Sequence, residues 1–495
     1  MPAMKIETVY VPTDHYIDGK RVSGSASFEV RTPIDNSVLG TCAGGNKDLI
    51  DRAVEAARAA FHTWGKASAV ARGVVLRRFA QRIRANKAAL SIVESTDNGG
   101  LRHAIAAHMI ERSAQNIEFF AARAEHIGGE VVPGSTNTDI VTYEPAGVAA
   151  LITPWNGPLM LSTWKLGPAL AAGNTVVLKP PELAPLSCGL LASLAEEAGV
   201  PPGVLNVVHG DGTVTGQALA DHPGISRISF TGSPQTGRKV ATAAAANLVP
   251  VSLELGGKSP FVVFSSADLD AAAATAARQY FNAGQVCLAG TRILAKRSIA
   301  QSLLEKIREK VGAMRIGDPR DESTSIGPLI SARQFERVKG FVDRARAQGA
   351  EVLFGGRQHS AGELYFEPTL LAPVSQKSEI VQNEVFGPVL TWQTFDEEAE
   401  AITLANDTTF GLAAVIFTGD PAQAERVGKA IVAGTVWVNS FFVRNLAAPF
   451  SGFRLSGVGV EGGNRSVDFY CNVKNLSIDN ASFQRGASSG PGRPH

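Results

Sequence analysis

A cysteine in a stretch of small residues is the first candidate for chemistry. Cys287 lies in the segment FNAGQVCLAGTR, where glycine and alanine neighbours let backbone amides and a substrate approach the sulfur. Such a cysteine suits a nucleophile, although an isolated cysteine more often serves as a small buried hydrophobic residue. Cys42, Cys188 and Cys471 have no comparable setting, and we expect them to be inert.

Two polar residues lie where strands of an α/β sheet would end. Glu254 follows an apolar run in VSLELGGKSP, and burial there would raise its pKa toward that of a general base. The alternative is a structural salt bridge, with Lys258 as the partner. Asn156 stands between two prolines in LITPWNGPL, where its amide would donate to a developing oxyanion. Its alternative role is to stabilise a turn.

Two further segments suit the binding of phosphates and hydroxyls. ISFTGSPQTGRKV reads as strand, turn and helix, and places Gly232 and Ser233 at a helix N-terminus that attracts phosphate. This segment matches neither the GxGxxG motif of Rossmann folds nor the P-loop motif. A second segment, GDGTVTG, ends at Gly216 and matches the GxGxxG motif only in part. Lys179 and Glu182 follow another strand and suit the hydroxyls of an adenosine ribose. The alternative is that Lys179 and Glu182 form an ordinary ion pair on the protein surface.

The elements that must position these residues alternate along the chain. Short Val- and Ile-rich runs alternate with Ala-rich helical segments, which predicts parallel strands in an α/β fold with two domains dividing near residue 254. Residues 129–148 read as a hairpin and 466–480 as one long strand. Both look like sheet edges that need a partner, which indicates oligomerisation; an internal two-stranded flap is the alternative. The Gly/Ser/Pro-rich residues 481–495 predict a flexible tail.

Composition excludes several classes of function. The 495 residues carry 47 Lys+Arg against 46 Asp+Glu, which gives no support for partners such as nucleic acid or an anionic membrane. The four cysteines form no CxxC pair, so we expect no metal site, no disulfide framework and a reducing, cytoplasmic location. No secretory signal and no membrane-spanning apolar run is evident.

Together these segments resemble the aldehyde dehydrogenase superfamily, from about residue 15 to residue 480. Seven blocks occur in the family's order: PWN (154–156), KPPEL (179–183), FTGS (230–233), LELGGKSP (253–260), GQVC (284–287), EVFGP (384–388) and PFSGFRLSG (449–457). Within the superfamily, the chain looks most like the hydroxymuconic-semialdehyde and carboxymethyl-hydroxymuconic-semialdehyde dehydrogenases.

The resemblance implies an NAD-dependent enzyme with the aldehyde dehydrogenase fold. Its expected parts are a Rossmann-like cofactor domain (1–128 and 149–254), an α/β catalytic domain (255–465) and a small β oligomerisation arm (129–148 and 466–480). Such an arm implies a homodimer or a homotetramer.

The resemblance also implies a role for each matched residue. Cys287 corresponds to the nucleophile, Asn156 with the Cys287 N–H to the oxyanion donors, and Glu254 to the general base. The implied cofactor contacts are Trp155, Lys179, Glu182, Gly216, Phe230, Gly232, Ser233, Leu255, Gly256, Glu384 and Phe386. Because Glu182 would bond a ribose 2′-hydroxyl and repel a 2′-phosphate, NAD is expected over NADP.

Three residues carry the expectation about the substrate. Arg444 resembles the arginine with which the semialdehyde subgroup binds a carboxylate, Trp164 lies in a block similar to that subgroup, and Gly157 leaves room for an aromatic aldehyde. A solvated loop arginine is the alternative for Arg444. Two residues depart from the pattern of that subgroup: Asn445 replaces an acidic residue, and Glu118 stands where some members place a second arginine. These differences argue against a substrate with two negative charges.

The function expected from the sequence is oxidation of an aldehyde, either aromatic or a carboxylate-bearing semialdehyde, through a thioester that Glu-activated water hydrolyses. The alternatives are a coenzyme A-acylating semialdehyde dehydrogenase and a non-redox thioesterase. A non-catalytic relative is disfavoured because Cys287 and Asn156 are both present.

Overall fold

Strands and helices alternate through most of the chain, as the hydrophobic pattern predicts. The structure is a computed structural model that describes residues 3–480, so the predicted tail 481–495 lies outside the described residues. Its strands are β1 (Ala3–Ile6), β2 (Val9–Pro12), β3 (His15–Ile17), β4 (Lys20–Val22), β5 (Ala26–Arg31), β6 (Val38–Gly44), β7 (Glu130–Pro133), β8 (Asn137–Pro145), β9 (Val148–Ile152), β10 (Thr175–Lys179), β11 (Leu205–Val207), β12 (Arg227–Thr231), β13 (Val251–Glu254), β14 (Pro260–Val263), β15 (Arg292–Lys296), β16 (Glu351–Phe354), β17 (Thr369–Ala372), β18 (Val389–Phe395), β19 (Ala413–Phe417), β20 (Thr435–Val438), β21 (Gly457–Val458) and β22 (Cys471–Asp479).

The α-helices lie between these strands. They are α1 (Lys47–Trp64), α2 (Ala69–Ala85), α3 (Lys87–Asn98), α4 (Arg102–Ala104), α5 (Ile110–Ala124), α6 (Pro158–Ala171), α7 (Leu186–Glu197), α8 (Gln217–Asp221), α9 (Pro234–Ala246), α10 (Leu269–Ala277), α11 (Ala300–Gly312), α12 (Ala332–Ala347), α13 (Glu379–Gln382), α14 (Glu398–Asn406), α15 (Pro421–Ala430) and α16 (Gly463–Phe469). Short 3₁₀ or π segments occupy 105–109, 212–216, 278–284, 297–299 and 454–456.

The first large sheet brings three of the candidate segments to one edge. Its order is β21-β13-β12-β9-β10-β11-β3-β4, and the five strands from β13 to β11 run parallel. Phe230 pairs with Ile152, and Thr231 pairs with Glu254. The turns after β9 and β12 and the end of β13 therefore meet at the carboxyl edge, where α/β sheets bind ligands.

The second large sheet supports the cysteine segment. Its order is β16-β17-β18-β15-β14-β19-β20, parallel except for the pair β16–β17. Separate hydrophobic clusters pack on the two sheets, one including Phe120 and Leu178 and the other including Phe261 and Val338. The chain crosses from β13 to β14 over five residues, 255–259, so the end of the first sheet lies against the second.

The third sheet is antiparallel and partly corrects the sequence expectation. β8 pairs with β22 over nine residues and with β7 on its other side. The predicted strand 466–480 begins only at Cys471, because α16 precedes it. Two interactions favour the helix: the Ser466 hydroxyl accepts a hydrogen bond from the Gly462 N–H at 2.8 Å, and Val467 is buried in the core of the first sheet.

No helix within residues 3–480 has both the length and the apolar character needed to cross a membrane.

Candidate active site

Cys287, Glu254 and Asn156 line one small cavity of about 80 Å³. Glu254 ends β13, Asn156 follows β9, and Cys287 lies in the loop before β15. Cys287 and Asn156 also line a larger cleft on the other side. The fold therefore brings together a thiol, an amide and a carboxyl group that are 33 to 131 residues apart in sequence.

The loop that presents Cys287 has a strained backbone. Asn282, Ala283 and Gly284 adopt positive φ angles of 52°, 53° and 69°. At Gly284 a Cβ atom would lie 2.1 Å from the Gly387 carbonyl oxygen, so only glycine fits. Strain of this kind persists only where neighbouring structure imposes it, which is common at functional sites.

Hydrogen bonds tie this loop to the Asn156 turn. The Asn156 amide donates to the Gln285 carbonyl at 3.0 Å, and the Asn282 amide donates to the Asn156 carbonyl at 3.3 Å. The Gln285 side chain accepts from the Ile330 N–H at 2.9 Å. Sequence reasoning missed the roles of Asn282 and Gln285, whose only signal was their proximity to Cys287.

Burial raises the pKa of the Cys287 thiol to about 12, and the Glu384 and Glu254 carboxyls act in the same direction. The Arg444 guanidinium and the cysteine's own backbone N–H oppose that rise. The thiol is therefore the resting form, and a positive charge near the sulfur would favour the reactive thiolate.

Glu254 is buried without a hydrogen bond to either carboxyl oxygen from any described residue. Burial raises its pKa well above the usual value, and the negative charge of Glu461 adds to the effect. The Lys258 ammonium likewise has no hydrogen-bond partner among residues 3–480. The alternative of a structural Glu254–Lys258 salt bridge is therefore wrong for this fold.

A buried ion pair that the sequence did not suggest adjoins Glu254. Lys165 lies 3.0 Å from a Glu461 carboxylate oxygen, and it also donates to the Ser229 hydroxyl at 2.8 Å. The Trp164 indole N–H and the Ser252 hydroxyl donate to the same carboxylate. These bonds hold the pKa of Glu461 below its usual value despite its burial. The only sequence signal was an acid directly after the apolar run GVGV.

The larger cleft, of about 780 Å³, has the features of a dinucleotide site. Eight of the expected cofactor residues line it: Trp155, Glu182, Gly232, Ser233, Leu255, Gly256, Glu384 and Phe386. Ser233 caps α9 by accepting from the Thr236 N–H at 3.2 Å, so this helix N-terminus opens into the cleft. At Gly256 a Cβ atom would lie 2.2 Å from a Glu384 oxygen, so any larger residue there would displace the Glu384 carboxylate.

Three expected cofactor residues lie behind the wall of this cleft. Lys179 is buried and pairs with Glu182 at 2.7 Å, so the alternative of an ordinary surface pair does not describe the lysine. Gly216 packs near the Lys179 side chain, because a Cβ atom there would lie 4.0 Å from its Cδ. Phe230 is buried under Gly232. These three residues lie behind others that do line the cleft.

An aromatic pair and a hydrogen-bonded carboxylate form the inner end of the cleft. The rings of Trp155 and Phe386 meet edge to face at 5.3 Å, and the Glu384 carboxylate accepts from the Gly257 N–H at 2.9 Å. Burial raises the pKa of Glu384 to about 7 and lowers the pKa of Lys258 to about 7. These residues suit a ribose and a flat ring, so the described side chains fit a nicotinamide dinucleotide.

The expected substrate residues lie on the opposite side of Cys287. Gly157 and Trp164 line the inner cavity, and Arg444 and Trp164 separate it from an outer cavity of about 500 Å³. A Cβ atom at Gly157 would lie 3.5 Å from the Met109 side chain, so glycine leaves space there. Arg444 is half-buried between aromatic rings and is not the solvated loop arginine of the alternative.

A second arginine, which sequence reasoning missed, lines the outer cavity. The Arg112 guanidinium donates to the Arg444 carbonyl at 3.0 Å. Glu118, the departure that put a dianionic substrate in doubt, pairs with Arg84 at 2.6 Å and does not line this cavity. Nothing in the pattern of α5 distinguished Arg112 from its charged neighbours.

Comparison with known proteins agrees with this geometry. The model of the aldehyde dehydrogenase family matches residues 21–476. Betaine aldehyde dehydrogenase 2 of Rhizobium meliloti is 38% identical over 467 residues, which are 94% of this chain and 97% of the relative.

Two solved structures are similar throughout. A betaine aldehyde dehydrogenase from Staphylococcus aureus in complex with NAD+ has a TM-score of 0.92 and 36% identity, covering 95% of both chains. A mutant indole-3-acetaldehyde dehydrogenase from P. syringae in complex with NAD+ and IAA has a TM-score of 0.94 and 37% identity, covering 96% of this chain and 98% of that chain. With its matched residues, its fold and its paired cavities, the chain belongs to the aldehyde dehydrogenase family.

Proposed function

We propose that the protein oxidises an aldehyde to the carboxylic acid with NAD as the cofactor. The convergence of Cys287, Asn156 and Glu254 between a dinucleotide-shaped cleft and a separate cavity carries this proposal. Relatives solved in complex with NAD+ support the cofactor. When bound, NAD+ supplies a positively charged hydride acceptor beside the sulfur.

The side chains divide the chemistry among them. The Cys287 thiolate attacks the aldehyde carbon, and the carbonyl electron pair becomes an oxyanion. The Asn156 amide and the Cys287 backbone N–H stabilise that oxyanion. Loss of hydride from the carbon leaves a thioester on Cys287. Glu254 then takes a proton from water, the hydroxide attacks the thioester, and the acid leaves as the cysteine sulfur is freed.

The raised pKa of Glu254 suits this last step, because a buried carboxylate without a partner is a strong base once ionised. The Glu254→Gln variant tests it. We expect a first burst of about one NADH per site, followed by a severe loss of turnover. Glu118→Gln, which removes an exposed carboxylate outside both cavities, is the control. Full turnover in Glu254→Gln would exclude Glu254 as the base.

The product separates this reaction from its two alternatives. An acylating dehydrogenase would release product only with coenzyme A, and a thioesterase would act without reducing NAD. Free acid and NADH formed in equal amounts without coenzyme A are expected here. NADH formation that requires coenzyme A would overturn the hydrolytic step.

For the substrate, we propose a carboxylate-bearing semialdehyde of the hydroxymuconic type. The guanidinium of Arg444, which suits a bidentate contact with a carboxylate, supports this class, and Arg112 adds positive charge nearby. Gly157 leaves space for a flat or branched chain, so aromatic aldehydes remain in the proposed range.

Glutarate semialdehyde and pentanal provide a matched test of that substrate class, because they differ in a carboxylate at the far end. We expect Arg444→Met to lower the ratio of their kcat/KM values by about 10-fold or more, the cost of a lost charged hydrogen bond. Arg426→Met, which changes an exposed arginine outside the cavities, should leave the ratio unchanged. Equal losses for both aldehydes in Arg444→Met would defeat the carboxylate contact.

For the assembly, we propose a homodimer or homotetramer in the cytoplasm. Val131, Val473 and Leu476 on the three-stranded sheet are 64%, 63% and 52% exposed in the single chain, and a second copy would cover them. All four cysteines are free thiols, which suits a reducing compartment. Light scattering should show a dimer or a larger species for the wild type. The Leu476→Asp variant should dissociate at higher protein concentrations than the wild type does. A monomeric wild type would refute the proposed assembly.

A further inference from the structure

Arg444 occupies the aromatic surfaces beside the reacting groups. Its guanidinium carbon lies 4.8 Å from the centre of the Trp164 ring and 3.9 Å from the centre of the Phe450 ring. Aromatic faces at such distances are the surfaces on which proteins bind cations, including quaternary ammonium groups. Both rings line the inner cavity with Cys287, so a cationic aldehyde would find these faces already covered by a cation of the protein.

The contacts around Arg444 hold this arrangement in place. The Trp164 indole N–H donates to Glu461, and the Phe450 and Glu461 backbones exchange two hydrogen bonds of 2.7 Å. The Arg444 carbonyl accepts from Arg112 at 3.0 Å. Glu254 and Glu461 are the carboxyl groups that act electrostatically on the Arg444 guanidinium, and neither forms a salt bridge with it.

The three carboxyl groups in the inner cavity offset this charge only in part, although Glu254 and Glu461 act electrostatically on Arg444. Glu461 is matched by Lys165 at 3.0 Å. Burial raises the pKa of Glu94 to about 7 and the pKa of Glu254 well above its usual value, so both groups carry less negative charge than exposed carboxylates would. Arg444 is the sole cation among the described residues that line this cavity.

We infer that Arg444 is a specificity-determining residue that excludes aldehydes carrying a quaternary ammonium group. The inference rests on the proposed function, since it assigns the charge of the aldehydes that the same site accepts. The range of accepted aldehydes would then differ from that of the relatives named for betaine aldehyde, even though the fold and the three proposed reacting groups suit the same chemistry. Neutral and anionic aldehydes of the same shape are accepted.

Two aldehydes of nearly identical shape test the inference in the wild-type holoenzyme. Trimethylammonioacetaldehyde and 3,3-dimethylbutanal differ in one central atom, a charged nitrogen in place of a neutral carbon. We expect kcat/KM for the cation to be about 100-fold lower, the effect of two like charges about 6 Å apart at an effective dielectric constant of about 20. Comparable kcat/KM values would overturn the inference.

The variant Arg444→Met keeps an unbranched, flexible stem and removes the guanidinium with its charge. It should raise the ratio of kcat/KM for the cation over the neutral aldehyde by about 10-fold or more, because the Trp164 and Phe450 faces become free. Arg426→Met should not change that ratio. An unchanged ratio in a folded Arg444→Met protein would refute the role of Arg444.

A binding measurement distinguishes failure of this inference from failure of the proposed function. Choline and 3,3-dimethylbutan-1-ol are tested for protection of Cys287 against iodoacetamide, with the alkylated peptide quantified by mass spectrometry. We expect the neutral alcohol to protect and choline to protect only in Arg444→Met. If no aldehyde is oxidised but this pattern holds, the proposed function fails and the charge selectivity stands. Equal protection of the wild type by both compounds overturns the selectivity.

Discussion

The substitution Glu461→Gln removes one negative charge from a buried cluster and changes its shape little. In the wild type, the side chains of Lys165 and Glu461 are 0% and 8% exposed, and their charged atoms lie 3.0 Å apart. The amide oxygen introduced by the substitution would still accept from the Trp164 indole, but the Lys165 ammonium would be left buried without a counter-charge. Glu461→Gln therefore tests whether this ion pair stabilises the fold and controls the neighbouring base.

The expected cost follows from that burial. Removing one partner of a buried ion pair destabilises a protein by about 3–5 kcal/mol, because the remaining charge has lost its water and its partner. The double variant Lys165→Met/Glu461→Gln removes both charges. We expect it to recover at least half of the loss, although Ser229 and Ser252 lose a charged neighbour.

Equilibrium urea unfolding of wild type, both single variants and the double variant measures this coupling. The pH dependence of kcat is the second measurement. Removing the Glu461 charge lowers the pKa of Glu254, because that charge is one cause of its elevation and the uncompensated Lys165 charge acts in the same direction. The acid limb of the kcat profile should therefore move to lower pH in Glu461→Gln and return toward the wild-type position in the double variant.

Two results would refute this reasoning. Wild-type stability in Glu461→Gln would show that the pair contributes little to the fold. An acid limb that moves to higher pH, or does not move, would show that the Glu461 charge does not act on Glu254. Glu118→Gln, which removes an exposed charge near Arg84, provides the control for both measurements.

The remaining predictions concern the oxyanion, the cofactor and acid stability. Asn156→Ala should lower kcat by about 10²–10³-fold, a much larger effect than on the dissociation constant for NAD, and a smaller loss in kcat than 10-fold would remove Asn156 as an oxyanion donor. Glu182→Gln should lower the ratio of NAD to NADP affinity in calorimetry by about 10-fold or more; an unchanged ratio would contradict its repulsion of a 2′-phosphate. Burial lowers the pKa of His15 to about 4 and of His209 to about 3, so between about pH 6 and pH 4 the unfolded chain binds protons that the folded chain does not. As the pH is lowered through that range, the unfolding free energy should fall by about 1.4 kcal/mol per pH unit for each histidine, and His209→Gln should show a shallower fall; an equal slope would contradict the assignment.

Much of the candidate site could be predicted because parallel strands place their carboxyl ends at one edge. Asn156, Gly232 and Glu254 each follow or end a short apolar strand, and that local pattern predicted their convergence. The small residues around Cys287 likewise predicted a thiol that a substrate can approach. The strand predicted for 466–480 was partly wrong, because burial of Val467 and the hydrogen bond from the Gly462 N–H to the Ser466 hydroxyl favour a helix over its first part.

By itself, the sequence determined the α/β architecture and the family, and it predicted three candidate reacting groups, since these depend on local periodicity and on motifs that are contiguous in the chain. Only the tertiary structure decided what surrounds them. Lys165 and Glu461 are 296 residues apart, and Arg112 and Arg444 are 332 apart, so no local pattern relates them. The charges of Lys165, Glu461 and Arg444 act on Glu254, and that of Arg444 also acts on Cys287, only because folding removes water between groups that the chain keeps distant.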